Sequence, residues 1–126
     1  MTEDYRNLVA RSREPAENFG SVSDLERTTG TMIRYSVFYP ATDGATFDHD
    51  YYRNKHVPLC VKTWGLDGAE IDKGVDGPNV AAVHFKFESL EALQAALGST
   101  GTLDIRADVA NYTSIAPILQ TSEIVD

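Results

Sequence analysis

Apolar and polar residues start to alternate regularly at Met32. In MIRYSVFY, β-branched and aromatic side chains crowd together before Pro40 and the turn-forming ATDG, which predicts a strand. FDHDYYRNKHVPLCVKTWG, Phe47 to Gly65, changes the period. Phe47, Tyr51 or Tyr52, His56, Leu59 or Cys60 and Thr63 recur every three or four residues, so one stripe of an amphipathic helix is predicted, with Asp48 as its N-cap. AEIDKGV after the Gly65–Gly68 turn predicts a weaker, exposed strand, and DGPN a turn. NVAAVHFKF carries the strongest strand pattern: Ala81, Val83, Phe85 and Phe87 on one face, Val80, Ala82, His84 and Lys86 on the other. SLEALQAALG predicts a helix between an N-cap at Ser89 and a stop at Gly98. LDIRADVANY predicts another helical piece, capped at Thr102 or Asp104. SIAPILQTSEIV predicts a last strand, which Pro117 confines to an edge or a bulge.

The order β-α-β-β-α-β, with a small helix before the last strand, is the split βαβ, ferredoxin-like plan of an α+β domain. Two helices then cover one face of a four-stranded antiparallel sheet. The opposite face would carry Phe38, Ile118 and similar groups, and a second copy of the chain is the simplest cover, so a homodimer with facing sheets is expected. Residues 1–31 read as a polar N-terminal extension, with short helical stretches at DYRNLVARSRE and SVSDLERTTG and too little apolar surface to fold alone. The domain proper is expected over 32–126.

The helix from Phe47 holds the candidate chemistry. Tyr52, His56 and Cys60 stand four residues apart and stack along one line. Pro58 lacks an N–H and its ring collides with the carbonyl of Asn54, so a kink, or an end and restart, is expected beside His56. An imidazole there, next to Tyr52, suits general acid–base work on a bound carbon acid; a core histidine bonded to a backbone carbonyl is the alternative. His84 reaches the same cavity only if the faces of its strand are reversed. Otherwise His84 and Lys86 look toward the partner sheet. Trp64, Tyr39 and Tyr112 are candidate pocket walls, Cys60 a small apolar filler or a thiolate, and His49 a solvated first-turn residue.

Composition narrows the classes. A chain of 126 residues with 42% hydrophobic content fits one globular domain. A net charge of −8 and the lack of any Lys/Arg run argue against nucleic acid and anionic membranes as partners. One cysteine allows no internal disulfide, and neither a signal peptide nor a membrane-length apolar run is present, so a cytoplasmic protein is expected. The three histidines lack acids at ligand spacing, which leaves no metal motif. No phosphate-binding glycine loop, no Gly-x-Ser-x-Gly elbow and no convincing Ser/His/Asp set appears along the chain. Chemistry without a cofactor, or no chemistry, is what remains.

Together, MIRYSVFYP, FDHDYYRNKHVPL, VAAVHFKFESLEALQAAL and DIRADVANYTSIAPILQTSEIV resemble the EthD-like proteins of the dimeric α+β barrel superfamily. The most specific element is Tyr-x-x-x-His-x-Pro-Leu, met by Tyr52, His56, Pro58 and Leu59. The resemblance covers about residues 32–125. It implies a barrel of two sheets with a ligand cavity between each sheet and its helices. Members include a methylmuconolactone isomerase, proteins associated with ether degradation, and relatives encoded beside aromatic polyketide pathways. It therefore implies an isomerase, lyase or cofactor-free oxygenation acting on an aromatic, lactone or polyketide-like molecule. His56 would move the proton, Tyr52 would orient or stabilise charge, and His84, Trp64, Cys60, Phe38 and Tyr112 would line the substrate. A non-catalytic carrier or accessory protein that holds a hydrophobic metabolite for a partner enzyme of catabolism, and haem binding through His56, are the other readings.

Overall fold

The computed structural model describes residues 31–125; the expectations for the extension before them lie outside that range. The expected order is found. β1 (Ile33–Pro40) leads through a loop to a helix in three parts: α1 (His49–Tyr51), a π-helical turn (Tyr52–His56) and α2 (Val57–Trp64). β2 (Glu70–Lys73) and β3 (Asn79–Phe87) follow, then α3 (Leu90–Leu97), α4 (Gly101–Asp108) with a 3₁₀ turn (Val109–Asn111), and β4 (Ile118–Glu123). The strands form one antiparallel sheet in the order β2-β3-β1-β4. β4 begins directly after Pro117 and occupies an edge, where a residue without an N–H does least harm.

Parity along the strands decides what each face carries. Ile33, Tyr35 and Tyr39 of β1 and Ala81, Val83, Phe85 and Phe87 of β3 are buried in one core with Tyr52, Val57, Cys60, Leu93 and Ile105 of the helical layer. The intervening residues, Arg34, Ser36 and Phe38 of β1 with Ala82, His84 and Lys86 of β3, meet across the strands on the opposite face. Ile118 of β4 stands opposite Phe38 on that same face and is 56% exposed.

The local signals account for most element ends. The Asp48 carboxylate accepts from the Tyr51 N–H at 3.0 Å, and the Ser89 hydroxyl accepts from the Ala92 N–H at 3.0 Å. Gly65, at φ +69°, closes α2: its N–H reaches the Lys62 carbonyl and that of Leu66 reaches Val61, the paired bonds of a Schellman end. One expected cap is corrected. Neither Thr102 nor Asp104 caps α4, which starts earlier, at Gly101. Thr102 lies inside it, buried, donating to the Ala96 carbonyl at 2.6 Å and accepting from Trp64 Nε1 at 2.9 Å. Among the described residues no helix is long and apolar enough to cross a membrane.

Candidate functional site

Pro58 shapes the helix around His56. A regular α-helix would drive the proline ring into the Asn54 carbonyl. The chain instead widens by one residue per turn ahead of it: the Val57 N–H bonds to Tyr52, five residues back, and Pro58 becomes an opening residue of α2. The expected break thus takes the form of a π turn, a distortion found disproportionately at functional sites. Tyr52 and His56 are its first and last residues, and both are buried.

His56 is 4% exposed. Its ring lies nearly parallel to Tyr52, with centroids 5.5 Å apart, and is 4.6 Å from the Tyr112 ring. Its Nδ1 stands 2.9 Å from Asp108 Oδ2, at the end of α4. Tyr51 donates its hydroxyl to the other carboxylate oxygen at 2.7 Å, and the Asn111 amide donates to that oxygen at 2.9 Å. An ionised carboxylate only accepts, so the imidazole proton sits on Nδ1. Nε2 is left with its lone pair and has no hydrogen-bond partner among the described residues.

The electrostatics agree with a neutral ring beside an anion. Burial lowers the His56 pKa below the usual histidine value; Asp108 acts in the opposite sense and does not overcome it. For Asp108, burial pulls upward, but the hydrogen bonds from His56, Tyr51 and Asn111 outweigh it and hold the carboxyl below its usual range. Asp108 is the residue that the sequence reading missed.

Phenol groups gather next to this pair. Tyr39 and Tyr112 share a hydrogen bond of 2.6 Å between their hydroxyls, and Phe47 and Tyr52 stack edge-on against Tyr39. The Tyr52 hydroxyl is buried and, among the described residues, has no hydrogen-bond partner within 3.5 Å; the Tyr39 hydroxyl, engaged with Tyr112, is a longer-range neighbour. Burial first, then the neighbouring Tyr39, push the Tyr52 phenol far above its usual pKa, so it is a donor and not a phenolate. A fully buried, unsatisfied hydroxyl costs about 1–3 kcal/mol and calls for an explanation.

The remaining sequence candidates divide. Cys60 shares the His56 line, but burial and then Asp108 push its thiol up to about 12, which favours the apolar filler over the thiolate. Its reaction with an aromatic disulfide reagent is therefore expected to be roughly 100-fold slower in the native protein than after unfolding, when followed spectrophotometrically. His84 and Phe38 are not brought to His56. The Ala81/Val83/Phe85/Phe87 stripe packs under the helices, so strand parity sends both to the opposite face, where their rings meet edge-on at 5.9 Å. His49, expected in solvent, is half-buried against the Phe47 ring at 4.7 Å. Trp64 packs edge-on against Tyr35 and Phe85 and also walls a half-open cleft of about 750 Å³. That cleft lies at the end of the sheet, bordered by Arg34, His84, Lys86 and the Leu66–Ala69 loop; Tyr52 and His56 do not line it.

With this geometry in view, comparison with solved structures is decisive. An EthD-like protein from Ralstonia eutropha JMP134 is 39% identical, superposes with a TM-score of 0.71, and matches over 77% of this chain and 95% of its own. The chain belongs to the EthD-like family. A second EthD family protein, from Bacillus halodurans, is 19% identical at a TM-score of 0.60 over 75% of this chain and 99% of its own. A dimeric ferredoxin-like protein from Thermobifida fusca shares the fold at 13% identity and a TM-score of 0.52, over 75% of this chain and 92% of its own. No protein-family model and no curated protein matches the chain. The EthD-like assignment expected from the Tyr52–Leu59 signature is thus established within the α+β barrel superfamily, and the ferredoxin-like plan expected from the element order is the fold observed.

Proposed function

We propose that this EthD-like protein is a small-molecule enzyme that works by proton transfer at His56. The supporting observation is the His56–Asp108 pair: a carboxylate fixes the tautomer so that Nε2 carries a free lone pair, and burial keeps the ring neutral at cytoplasmic pH. Nε2 removes a proton from carbon next to a carbonyl, Asp108 stabilises the imidazolium that forms, and the Tyr52 hydroxyl donates to the developing enolate oxygen. Return of the proton to a second carbon isomerises the substrate; expulsion of a leaving group makes the reaction a lyase step. Phe47, Tyr52 and Tyr112 pack on one another beside His56, so a planar aromatic, lactone or polyketide-like substrate would part these rings and stack among them to reach Nε2.

The working form is a homodimer. Ile118 of edge strand β4 is 56% exposed opposite Phe38, and a second sheet would cover that face. Sedimentation at micromolar concentration should return twice the chain mass, and a monomer would refute it.

Proton transfer is read most simply in heavy water. Enolisable butenolide lactones and aromatic β-keto acids, incubated with the protein in D₂O, should gain deuterium next to the carbonyl, and His56→Gln should abolish the gain. Ligands that bind the wild-type protein tightly without exchange would make it a carrier, and the enzymatic reading would fall.

A further inference from the structure

The sheet face turned away from the helices carries chemistry that this reaction does not use. Ser36 of β1 and His84 of β3 are direct cross-strand partners, and Ser36 Oγ lies 2.8 Å from His84 Nδ1. On the other side of the ring, His84 Nε2 lies 3.0 Å from Asp72 Oδ2 of β2. A carboxylate accepts and cannot donate, so the Asp72 contact places the ring proton on Nε2. Nδ1 then has only a lone pair to offer, and the Ser36 hydroxyl must be the donor. Both ring nitrogens are engaged, so His84 acts on anything outside the set only through Ser36. A hydroxyl donating to a carboxylate-oriented imidazole is the arrangement that activates an oxygen nucleophile.

Its surroundings set what it would accept. In the single chain Ser36 is 4% exposed, whereas the His84 and Asp72 side chains are 21% and 62% exposed, so the set is dry at the hydroxyl and more open at the carboxylate. Of the three, His84 lines the 750 Å³ cleft at the sheet end; Ser36 lies one hydrogen bond behind it, so a substrate reaches the hydroxyl past the His84 ring. Arg34 and Lys86, the cross-strand pair one pleat along from Ser36 and His84, line it too. Two cations placed directly opposite each other on one face repel, and an anionic ligand group relieves that repulsion. Asp67, Glu70 and Glu88 also border the cleft and limit its positive field to the Arg34–Lys86 side. In the dimer proposed above this set lies inside the barrel, which restricts it to small ligands.

We propose that Ser36, His84 and Asp72 form a second, hydrolytic site for small carboxylic esters that carry a negative charge. Ser36 Oγ attacks the carbonyl carbon and passes its proton to His84 Nδ1. The ester C–O bond breaks and the leaving alcohol takes that proton, with the acyl group left on Ser36. Water then attacks the acyl-serine with the same proton relay and releases the carboxylic acid. Asp72 is a positioning residue that holds the ring and stabilises its cation; Arg34 and Lys86 bind the substrate anion.

The test uses the full chain with a fluorophosphonate probe and the p-nitrophenyl monoester of a dicarboxylic acid. Peptide mass spectrometry should map the phosphonate to Ser36, and Ser36→Ala or His84→Gln should lower hydrolysis by on the order of 100-fold. Asp72→Asn should lower kcat with KM little changed, since the ring is no longer held for Ser36 while the Arg34–Lys86 pair that binds the anion is kept. Phosphonate found only on other serines, or hydrolysis undiminished in Ser36→Ala, overturns the proposal. Should Ser36→Ala fail to fold, the map of the labelled wild-type protein decides alone.

Discussion

Replacing His56 by glutamine should cut proton-transfer turnover by about 10²–10⁴-fold, the span a positioned acid–base group contributes. Glutamine keeps a donor for Asp108 and much of the volume, so the main loss is the base. Stability should fall by roughly 1–2 kcal/mol, from lost ring stacking on Tyr52 and Tyr112 and one weakened hydrogen bond. A second signature is carried by pH. The folded His56 pKa lies below the unfolded value of 6.5, so the unfolded chain binds the extra proton between the two. The neutral ring's contribution is intact above 6.5 and is lost as pH falls through the folded value. Thermal melts of the wild-type protein should therefore drop between neutral pH and pH 5, and His56→Gln should drop less. His49 shifts the same way and is present in both proteins, so the difference between the curves belongs to His56. An equal slope in both would show that folding does not shift the His56 pKa, and a steeper fall in His56→Gln would show that the ring is held charged in the folded state.

Tyr52→Phe should separate function from stability in the opposite direction. The substitution removes only a hydroxyl that is buried and unpartnered, so the folded protein should gain about 1 kcal/mol, or roughly 4–8 °C in melting temperature for a domain of this size. Turnover should nevertheless fall by about 10²-fold, the loss seen when one donor to a developing oxyanion is deleted. A more stable and less active variant is the mark of a group kept for chemistry. If the variant melts lower with its turnover unchanged, the hydroxyl is structural and the enolate contact is wrong.

Sequence periodicity exposed the architecture because its signals are local. The Asp48 and Ser89 caps, the Gly65 and Gly98 ends and the Ala81-to-Phe87 stripe each depend on neighbours within a few residues. The same stripe also resolved the two possible orientations of His84 once the helices were seen to cover it. Pro58 announced a disturbance beside His56, but whether a kink, a restart or a π turn results depends on which carbonyls the surrounding core can satisfy. Asp108 was out of reach. It lies 52 residues from His56, in a helix of low amphipathicity that also carries Asp104, and nothing along the chain distinguishes a carboxylate turned to a buried imidazole from one turned to water. Its one trace is that Asp108 and Asn111 stand three apart, so both reach Tyr51 across the helix layer. The Ser36–His84–Asp72 set was hidden for the same reason: three strands supply one residue each, and only their register unites them.

The account stands on His56 being an uncharged base whose free nitrogen is Nε2. A nitrogen-resolved NMR titration of that imidazole in the wild-type protein measures both properties at once, without a substrate. At neutral pH the ring should carry its proton on Nδ1, hydrogen-bonded to Asp108, and half-protonation of Nε2 should occur below 6.5. A proton on Nε2 at neutral pH, or titration above 6.5, contradicts it.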